Sequence, residues 1–273
     1  MWRRLISLLV AAGVGAGVFG AGISLSPMLT EIVLPPGSSY QDQIYITNTG
    51  DEPVIVEVKV LGFMAPEGLP IFLEPELDRY PYSGRDILSV EPTEQEVDPG
   101  KTAIFSYTLA MPEDLDPFGG RYVAAIFKVK PVVTGATQVI ISTQVASLFL
   151  VSPGPEAAPH LKFENIRIHQ SQTDPRTVIL EALITNDGNL HVSSDQIIGW
   201  IYVTDADGYL VDKFQADTHT MLPANKYIHR EMWKAPRDLP SGTYQFHLDL
   251  WIFSPLGKEP QRYYLTLPLE LKF

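Results

Sequence analysis

The stretch EIVLPPGSSYQDQIYITNTGDEPVIVEVKV, residues 31–60, decides the fold class of this chain. Its last part, Val54–Val60, alternates: the four valines share one face, and the residues between them share the other. Alternation with a period of two residues is typical of a β-strand with one buried face. The polar segment NTGDEP, residues 48–53, holds Asn, Gly and Pro, which favour tight turns. The stretch therefore predicts a β-hairpin.

The same pattern returns later in the chain. The segment NDGNLHV, residues 186–192, follows an alternating strand and matches NTGDEPV, residues 48–54, in its Asn, its Gly and its last Val. LPANK at 222–226 corresponds to VDPGK at 97–101, and SGTY at 241–244 echoes GGRY at 119–122. Landmarks that recur in the same order predict two copies of one fold.

Turn signals and missing helical periodicity define the fold class. No long apolar repeat of about 3.6 residues follows residue 22, while glycines and prolines punctuate the whole chain. We therefore predict an all-β protein with two tandem immunoglobulin-like antiparallel β-sandwiches, at 23–152 and 160–273. The linker PGPEAAP, residues 153–159, is predicted to be stiff and extended because of its prolines.

The amino terminus predicts export. Met1-Trp2-Arg3-Arg4 is basic, and Leu5–Gly22 is an uncharged run of mainly apolar residues and glycine. This is the pattern of a signal peptide, residues 1–22, which we expect to be cleaved. The alternative is an N-terminal membrane anchor through residues 5–22, since such a run is just long enough to span a bilayer. Either way, the body of the protein is predicted to be extracytoplasmic: at the cell surface, in the periplasm or secreted.

Composition and motifs argue against several functions. The net charge of −12 disfavours nucleic-acid binding, and the absence of cysteine excludes thiol chemistry and disulfides. The six histidines are scattered, and the Asp-Gly at 207–208 is more typical of a hairpin turn than of a calcium loop. No nucleophile-elbow or zinc-protease motif occurs. We predict no enzymatic activity, no cofactor and no metal site.

A long insertion after the first strands is the predicted binding surface. Residues 62–92 lose alternation and carry five prolines, and connections of this length are often functional. Its aromatic rings could stack on sugars and its guanidinium groups could bind carboxylates. The alternative is that Phe72 and Leu73 pack the insertion onto the sandwich and the rest of the insertion is solvated. The predicted ligand-binding residues are Phe63, Phe72, Arg79, Tyr80, Tyr82 and Arg85.

A second candidate surface is the segment Val139–Val151, which is apolar on both faces. An internal strand that pairs on both sides would have this pattern. The alternative is a strand with a free edge, to which a partner polypeptide could add a strand.

Several phrases of the first half resemble the WxL-interacting proteins of bacterial cell surfaces. They are ISLSP at 23–27, the opening stretch, and LSVEPTEQEVDPGKTAIFSYTLAMPEDLDPFGGRYVAAIF at 88–127. The resemblance implies an immunoglobulin-like peptidoglycan-binding domain. The second half is similar to the family's following immunoglobulin-like domain, which implies binding of a partner protein. The family's usual C-terminal membrane helix and basic tail are missing, since the sequence given ends at Phe273.

Two functional hypotheses follow. The main one is a non-enzymatic envelope protein whose first domain contacts cell-wall polymer (peptidoglycan) or a surface protein, and whose second domain recruits a partner protein. The alternative is a periplasmic chaperone, similar to pilus chaperones, that assembles surface fibres by strand addition. The alternative predicts an unpaired apolar strand edge and a basic pocket between the domains.

Overall fold

The fold consists of β-strands and a few short 3-10 turns. The computed structural model describes residues 22–132, 142–254 and 259–273, so the predicted signal or anchor segment lies outside the described residues. Within these ranges no helix is long and apolar enough to cross a membrane. The strands are β1 (Ile23–Ser26), β2 (Leu29–Val33), β3 (Ser39–Asn48), β4 (Val54–Met64), β5 (Ile71–Leu73), β6 (Leu88–Glu91), β7 (Glu94–Val97), β8 (Thr102–Ala110), β9 (Arg121–Pro131), β10 (Thr143–Ser152), β11 (Leu161–Gln170), β12 (Thr177–Asn186), β13 (Ile197–Thr204), β14 (Leu210–Gln215), β15 (Lys226–Lys234), β16 (Gly242–Ile252) and β17 (Gln261–Leu271).

The strands form two sandwiches, as the sequence predicts. In the first domain the sheet β1-β3-β8-β6 faces the sheet β2-β10-β9-β4-β5, with β7 also paired to β4. In the second domain the sheet β11-β12-β15 faces the sheet β14-β13-β16-β17. The inward residues of the facing sheets form the apolar core of the first domain, with Phe105 and Phe127, and two apolar clusters in the second, one with Trp233 and Phe246 and one with Leu161 and Ile252. The prediction of two immunoglobulin-like sandwiches is confirmed.

The predicted hairpin at residues 31–60 is wrong. β3 pairs with β1 and β8, whereas β4 pairs with β9, β5 and β7 in the opposite sheet. The segment 48–53 is therefore an arch between the two sheets. Ile46 and Val56 enter the same core from opposite sides, and both are fully buried. Alternation shows which face of a strand is buried, but it does not show which strand is its neighbour.

A buried asparagine holds each arch, and the two copies are alike bond for bond. In the first domain the Asn48 Oδ1 accepts a hydrogen bond from the Gly50 N–H at 2.9 Å. Its Nδ2 donates to the carbonyl oxygens of Glu52 at 2.7 Å and Val97 at 2.9 Å. The Gly100 N–H donates to the Asn48 carbonyl at 2.8 Å. One side chain thus links the arch to the later turn of its own domain.

The second copy repeats these contacts at Asn186. Its Oδ1 accepts from Gly188 at 3.1 Å, and its Nδ2 donates to the carbonyl oxygens of Leu190 at 2.8 Å and Met221 at 3.1 Å. The Ala224 N–H donates to the Asn186 carbonyl at 2.8 Å, and Ala224 shares a positive φ (58°) with its counterpart Gly100 (70°). The predicted repeat is therefore present in atomic detail, with the second landmark one residue out of the predicted register.

The linker is not an isolated spacer. β10 ends at Ser152 and β11 begins at Leu161, so the segment 153–159 lies between these two strands. However, Ala157 is fully buried, and the Ala158 N–H donates to the Asn189 Oδ1 at 2.9 Å. The Asn189 N–H returns a bond to the Ala158 carbonyl at 3.1 Å. The linker is therefore fixed against the arch of the second domain.

Candidate functional site: a free strand edge beside the domain junction

One half of β10 has a free edge. β9 pairs with β10 over Thr143–Val151, whereas β2 pairs with it on the other side only over Leu148–Ser152. Among the residues that the structure describes, Thr143–Ser147 is therefore paired on one side only. Each of the two predictions for this segment holds for one half of the strand, and residues 139–141 lie outside the described ranges.

The free edge exists because the chain changes sheets near Pro27. β1 pairs with β3 in one sheet, and β2 begins at Leu29 in the other. The Ser147 Oγ donates to the Pro27 carbonyl at 2.8 Å, and the Leu148 N–H donates to the Met28 carbonyl at 2.9 Å. These two bonds lie at the end of the part of β10 that pairs with β2. Met28 and Leu29 are exposed beside that point.

The alternation of an antiparallel ladder identifies the unpaired groups. Leu148 directs its N–H away from β9, so residues two and four positions earlier direct their N–H and C=O the same way. These residues are Ala146 and Gln144. The side chain of Val145 packs on the core of the first domain, and those of Ala146 and Leu148 pack on the opposite face. Side-chain packing therefore holds this part of β10 in place, while the N–H and C=O groups of Gln144 and Ala146 have no neighbouring strand to pair with in the described part of the chain.

Close to this edge, a buried histidine joins the two domains. The His191 Nε2 lies 2.5 Å from the Glu31 Oε1 on β2, and the Ser193 Oγ donates to the same oxygen at 3.2 Å. The Tyr122 hydroxyl accepts from the His191 backbone N–H at 2.8 Å and lies 3.3 Å from its Nδ1. If the tyrosine proton is directed to Nδ1, the ring proton is on Nε2 and is donated to Glu31.

The contact with His191 changes the pKa of the Glu31 carboxylate. The hydrogen bond from His191 lowers the pKa of the Glu31 carboxyl below its usual value, against a smaller opposing effect of burial. Burial raises the pKa of Tyr122 well above its usual value, so its hydroxyl keeps its proton. Tyr80 and Tyr82 raise this pKa further, whereas the His191 backbone hydrogen bond and Arg121 lower it.

Apolar and backbone contacts complete the junction. Leu222 of the second domain is fully buried in a cluster with Phe63, Tyr122 and other residues of the first. The Tyr80 hydroxyl donates to the Pro223 carbonyl at 2.8 Å. The Gly120 N–H donates to the Asn189 carbonyl at 2.8 Å. The two domains therefore meet through a packed interface as well as through the linker.

The basic pocket expected for a chaperone is not found in the described part of the junction. The guanidinium of Arg121 donates to the carbonyl oxygens of Pro117, Gly119 and Gly120 at 2.8–3.1 Å and is nearly buried. The partly exposed ionisable group here is the Glu31 carboxylate. This expectation is wrong because the one junction arginine is used to hold its own turn.

The six residues predicted to bind ligand divide into two groups. Phe63 is only 2% exposed, and Tyr80 and Tyr82 pack on the same cluster. For Phe63 the prediction is corrected to a packing role, since a buried ring offers no face to a ligand. The insertion needs these rings to cover the outer face of β4, β9 and β10.

Three of the six lie at the surface. Phe72 is 36% exposed on the edge strand β5. The Arg79 Nη1 donates to the Asp78 carbonyl at 3.0 Å, and Arg85 pairs with Asp86 at 3.1 Å. The Phe72 ring lies edge-on to the buried Phe63 ring, with 6.5 Å between their centroids, whereas Arg79 and Arg85 bond to neighbours in the chain. The binding role of these three residues stays a prediction.

The residues that form the junction were missed from the sequence. Glu31, Tyr122 and His191 are far apart in the chain, and each is ordinary in its local pattern. The structural repeat does contain a signal: Leu222 is an apolar residue at the position of the acidic Asp98 in the first copy. In the register predicted from the sequence Leu222 corresponds to Val97, so the contrast with Asp98 appears only when the structure aligns the two copies.

No protein-family model and no curated protein sequence matches the chain. It is similar to a solved chaperone–tip adhesin complex of CFA/I fimbriae, with 11% identity, 90% of this chain and 98% of that chain covered, and a TM-score of 0.47. It is also similar to the class 5 fimbriae chaperone CfaA, with 14% identity, coverage of 91% and 100%, and a TM-score of 0.45. The chaperone YadV has 13% identity, coverage of 90% and 99%, and a TM-score of 0.43. At these identities the likeness concerns the fold.

These findings correct the main functional hypothesis. The solved structures reported above, which share the two-sandwich architecture, are fimbrial chaperones and not wall-binding or WxL-interacting proteins. The hypothesis of a wall-binding first domain with a partner-recruiting second domain is therefore wrong. The resemblance to the WxL-interacting family stays an untested prediction.

Proposed function

We propose that this protein is an exported, non-enzymatic chaperone that binds a surface-fibre subunit by strand addition at the free edge of β10. The observation that supports the proposal is the row of unpaired backbone groups on Gln144 and Ala146. It lies in the first half of β10, whose second half, from Leu148 to Val151, pairs on both sides. The partner strand would continue the line of β2 along β10.

Strand addition suits this edge for a physical reason. Main-chain hydrogen bonds give affinity, and pockets for alternate side chains give specificity. An unpaired edge is an aggregation risk, and proteins usually protect it with charges, prolines or bulges. The described residues 142–147, STQVAS, contain none of these. An edge that is kept flat and uncharged is typical of one that receives a partner.

The junction supports the same function. Glu31 lies on β2 directly beside Leu150 of β10, and its bonds to His191 and Ser193 tie β2 to the second domain. The free edge is therefore presented from a rigid two-domain frame, which lowers the ordering cost of binding. Because the described junction offers no basic pocket, we propose that the partner is held through its main chain without an ionic anchor there.

The test places a photo-crosslinking amino acid at Gln144, in cells that make the protein. We expect crosslinks to a subunit of a surface fibre, identified by mass spectrometry. The control is Ser106 on β8, which is also exposed but pairs with both β3 and β6 and should give no such product. Equal crosslinking from both positions, or products unrelated to fibre subunits, would reject the proposal.

A second variant tests the backbone directly. Ala146→Pro removes one N–H from the free edge without removing a bond to β9, because that N–H points away from β9. We expect at least a tenfold loss of the subunit complex, while the thermal unfolding of the free protein changes little. Full complex formation by a folded Ala146→Pro variant would contradict strand addition at this site.

A further inference from the structure

The second domain contains a cavity that neither the fold nor the proposed function explains. It lies between the two sheets of this sandwich, and the space outside atoms, including the open mouth, is about 430 Å³. Its walls are mainly apolar and include Leu161, Phe163, Ile184, Met221, Leu248 and Leu250. Sandwich cores are normally filled by interdigitating side chains, so an opening that is lined by residues of both sheets is an exception.

One wall of the cavity is polar. On β15 the residues that point between the sheets are Tyr227, His229, Glu231 and Trp233, and of these Tyr227 and His229 line the cavity. The Tyr227 hydroxyl lies 3.1 Å from the His229 Nδ1, and the His229 Nε2 lies 3.0 Å from the Glu231 Oε1. The Asp217 N–H donates to the same Glu231 oxygen at 2.5 Å.

Burying the polar side chains of Tyr227, His229 and Glu231 costs desolvation free energy. His229 and Glu231 are both nearly buried, at positions where an aliphatic residue would fill the sandwich. Replacing a buried polar pair by well-packed apolar residues is often neutral or stabilising, so stability does not account for the pair. An apolar pocket with a few convergent polar groups is the usual form of a small-molecule site.

The mouth of the cavity lies beside the first domain. Asp217, Thr218 and His219 line it, and they belong to the connection between β14 and β15. His219 lies against Gly68 of the long insertion: a Cβ built on Gly68 would be 3.1 Å from the His219 Cβ. A larger residue at Gly68 would therefore press on the rim. The insertion thus borders this opening.

We propose that this cavity binds a small apolar molecule with one uncharged hydrogen-bonding end. The apolar part, an alkyl chain or a single ring, would lie against Leu161, Leu248 and Leu250. The polar end, a hydroxyl or carbonyl, would meet Tyr227 and His229. A carboxylate end is disfavoured because the acidic Asp217 lines the cavity and the Glu231 carboxylate lies behind His229, 3.0 Å from its Nε2.

The protonation state of Tyr227 agrees with this role. Burial, together with the nearby acidic residues Glu231, Asp217 and Glu67, raises the pKa of Tyr227 to about 12. Its hydroxyl therefore keeps its proton at neutral pH and can donate to a ligand oxygen or accept from a ligand hydroxyl.

The test is a titration of the whole protein with hexan-1-ol and with hexanoate, followed by the methyl NMR signals of leucine and isoleucine. We expect saturable shifts of the Leu161, Leu248 and Leu250 methyls with hexan-1-ol. We expect binding of hexanoate to be at least tenfold weaker. No shift of these methyls up to the solubility limit of the alcohol would overturn the proposal, and so would equal binding of both probes.

Two variants localise the effect. Leu248→Phe fills the cavity and should abolish the shifts, whereas Leu269→Phe, in the same core but outside the cavity lining, should leave them. Tyr227→Phe keeps the volume and should weaken hexan-1-ol severalfold. If Leu248→Phe does not fold, Tyr227→Phe and the two probes still decide the outcome.

Unaltered binding of hexan-1-ol by Tyr227→Phe would contradict the proposed polar contact. These readouts do not depend on crosslinking at β10, so this proposal and the chaperone proposal can fail separately.

Discussion

The two asparagine arches have the same internal bonds but opposite surroundings. The arch of the first domain faces solvent, and its residues Asp51 and Glu52 are exposed. At the corresponding positions of the second domain, Asn189 bonds to the first domain and to the linker, and Leu190 is fully buried. The same scaffold is therefore free in one copy and docked in the other.

The turn that each asparagine binds shows the same difference between a solvent-exposed copy and a buried one. Asp98 is exposed in the first copy, whereas its counterpart Leu222 is fully buried against the first domain. The prolines that follow, Pro99 and Pro223, are alike. The two copies show that the hydrogen bonds that shape an arch and the contacts that attach it to the other domain are made by different residues. Substitutions at the outer positions alone can make an interface from a solvated turn.

The largest expected effect is at Leu222. Leu222→Asp removes a buried side chain and places a charge in the junction, so we expect about 4 kcal/mol lower stability of the docked form. The matched control, Asp98→Leu at the solvent-exposed counterpart, should change stability by about 0.5 kcal/mol or less.

The measurement uses the position of the tryptophans. In a form that begins at residue 23, Trp200, Trp233 and Trp251 all lie in the second domain. Trp fluorescence then follows the second domain, while far-UV circular dichroism follows both. We expect the two urea transitions of Leu222→Asp to separate. Coincident transitions in this variant, or an equal effect of Asp98→Leu, would refute the role of Leu222.

The next effect tests whether the two arches are equivalent. Asn48→Ala and Asn186→Ala each leave buried carbonyl oxygens without a donor, so each should lower the free energy of unfolding by about 3 kcal/mol. Asn186→Ala should be the larger, because its Oδ1 also accepts from the His160 N–H at 3.2 Å. A loss below about 1 kcal/mol in urea unfolding would show that the arch does not depend on its asparagine.

The smallest effect concerns the docked copy and depends on pH. The pKa of Glu31 is lowered in the folded protein, so its contribution to stability is complete above its unfolded value near 4.5 and is lost as the pH falls through the lower folded value. Glu31→Gln should lower stability at pH 7 by about 1 kcal/mol, since solvent partly screens this carboxylate.

The pH dependence itself provides the control for this effect. The difference between wild type and Glu31→Gln should shrink as the pH falls towards 3, when urea unfolding is measured at constant ionic strength. Glu57→Gln on β4, whose partner Lys130 lies in the same domain, should not alter domain coupling. A difference between wild type and Glu31→Gln that grows with acidification would contradict the proposed contact with His191.

Much of the fold could be predicted from the sequence, but the pairing of the strands could not. The alternation of Val54–Val60 located β4, and the Asn-x-Gly motifs located both arches. The predicted hairpin failed because a turn motif fits an arch between sheets as well as a hairpin within one. The side chain of Asn48 decides between them, since it reaches Val97 across 49 residues of sequence.

The candidate site was predictable only in part. The segment Val139–Val151 was recognised as an apolar strand, but the length of edge that stays free depends on where β2 begins. The insertion was recognised as unusual, yet its rings pack where a ligand was expected. Burial of Phe63 depends on neighbours from β9 and from the second domain, which no local pattern contains.

The sequence by itself determined that the chain is a duplicated β-sandwich protein, because strand alternation and turn chemistry are local properties. The tertiary structure decided which strands pair, which copy of the arch is docked, and which half of β10 is free. It also decided that the described junction contains a glutamate–histidine contact and no basic pocket. These features depend on side chains that are distant in sequence, and only the packing of two sheets and two domains brings them together.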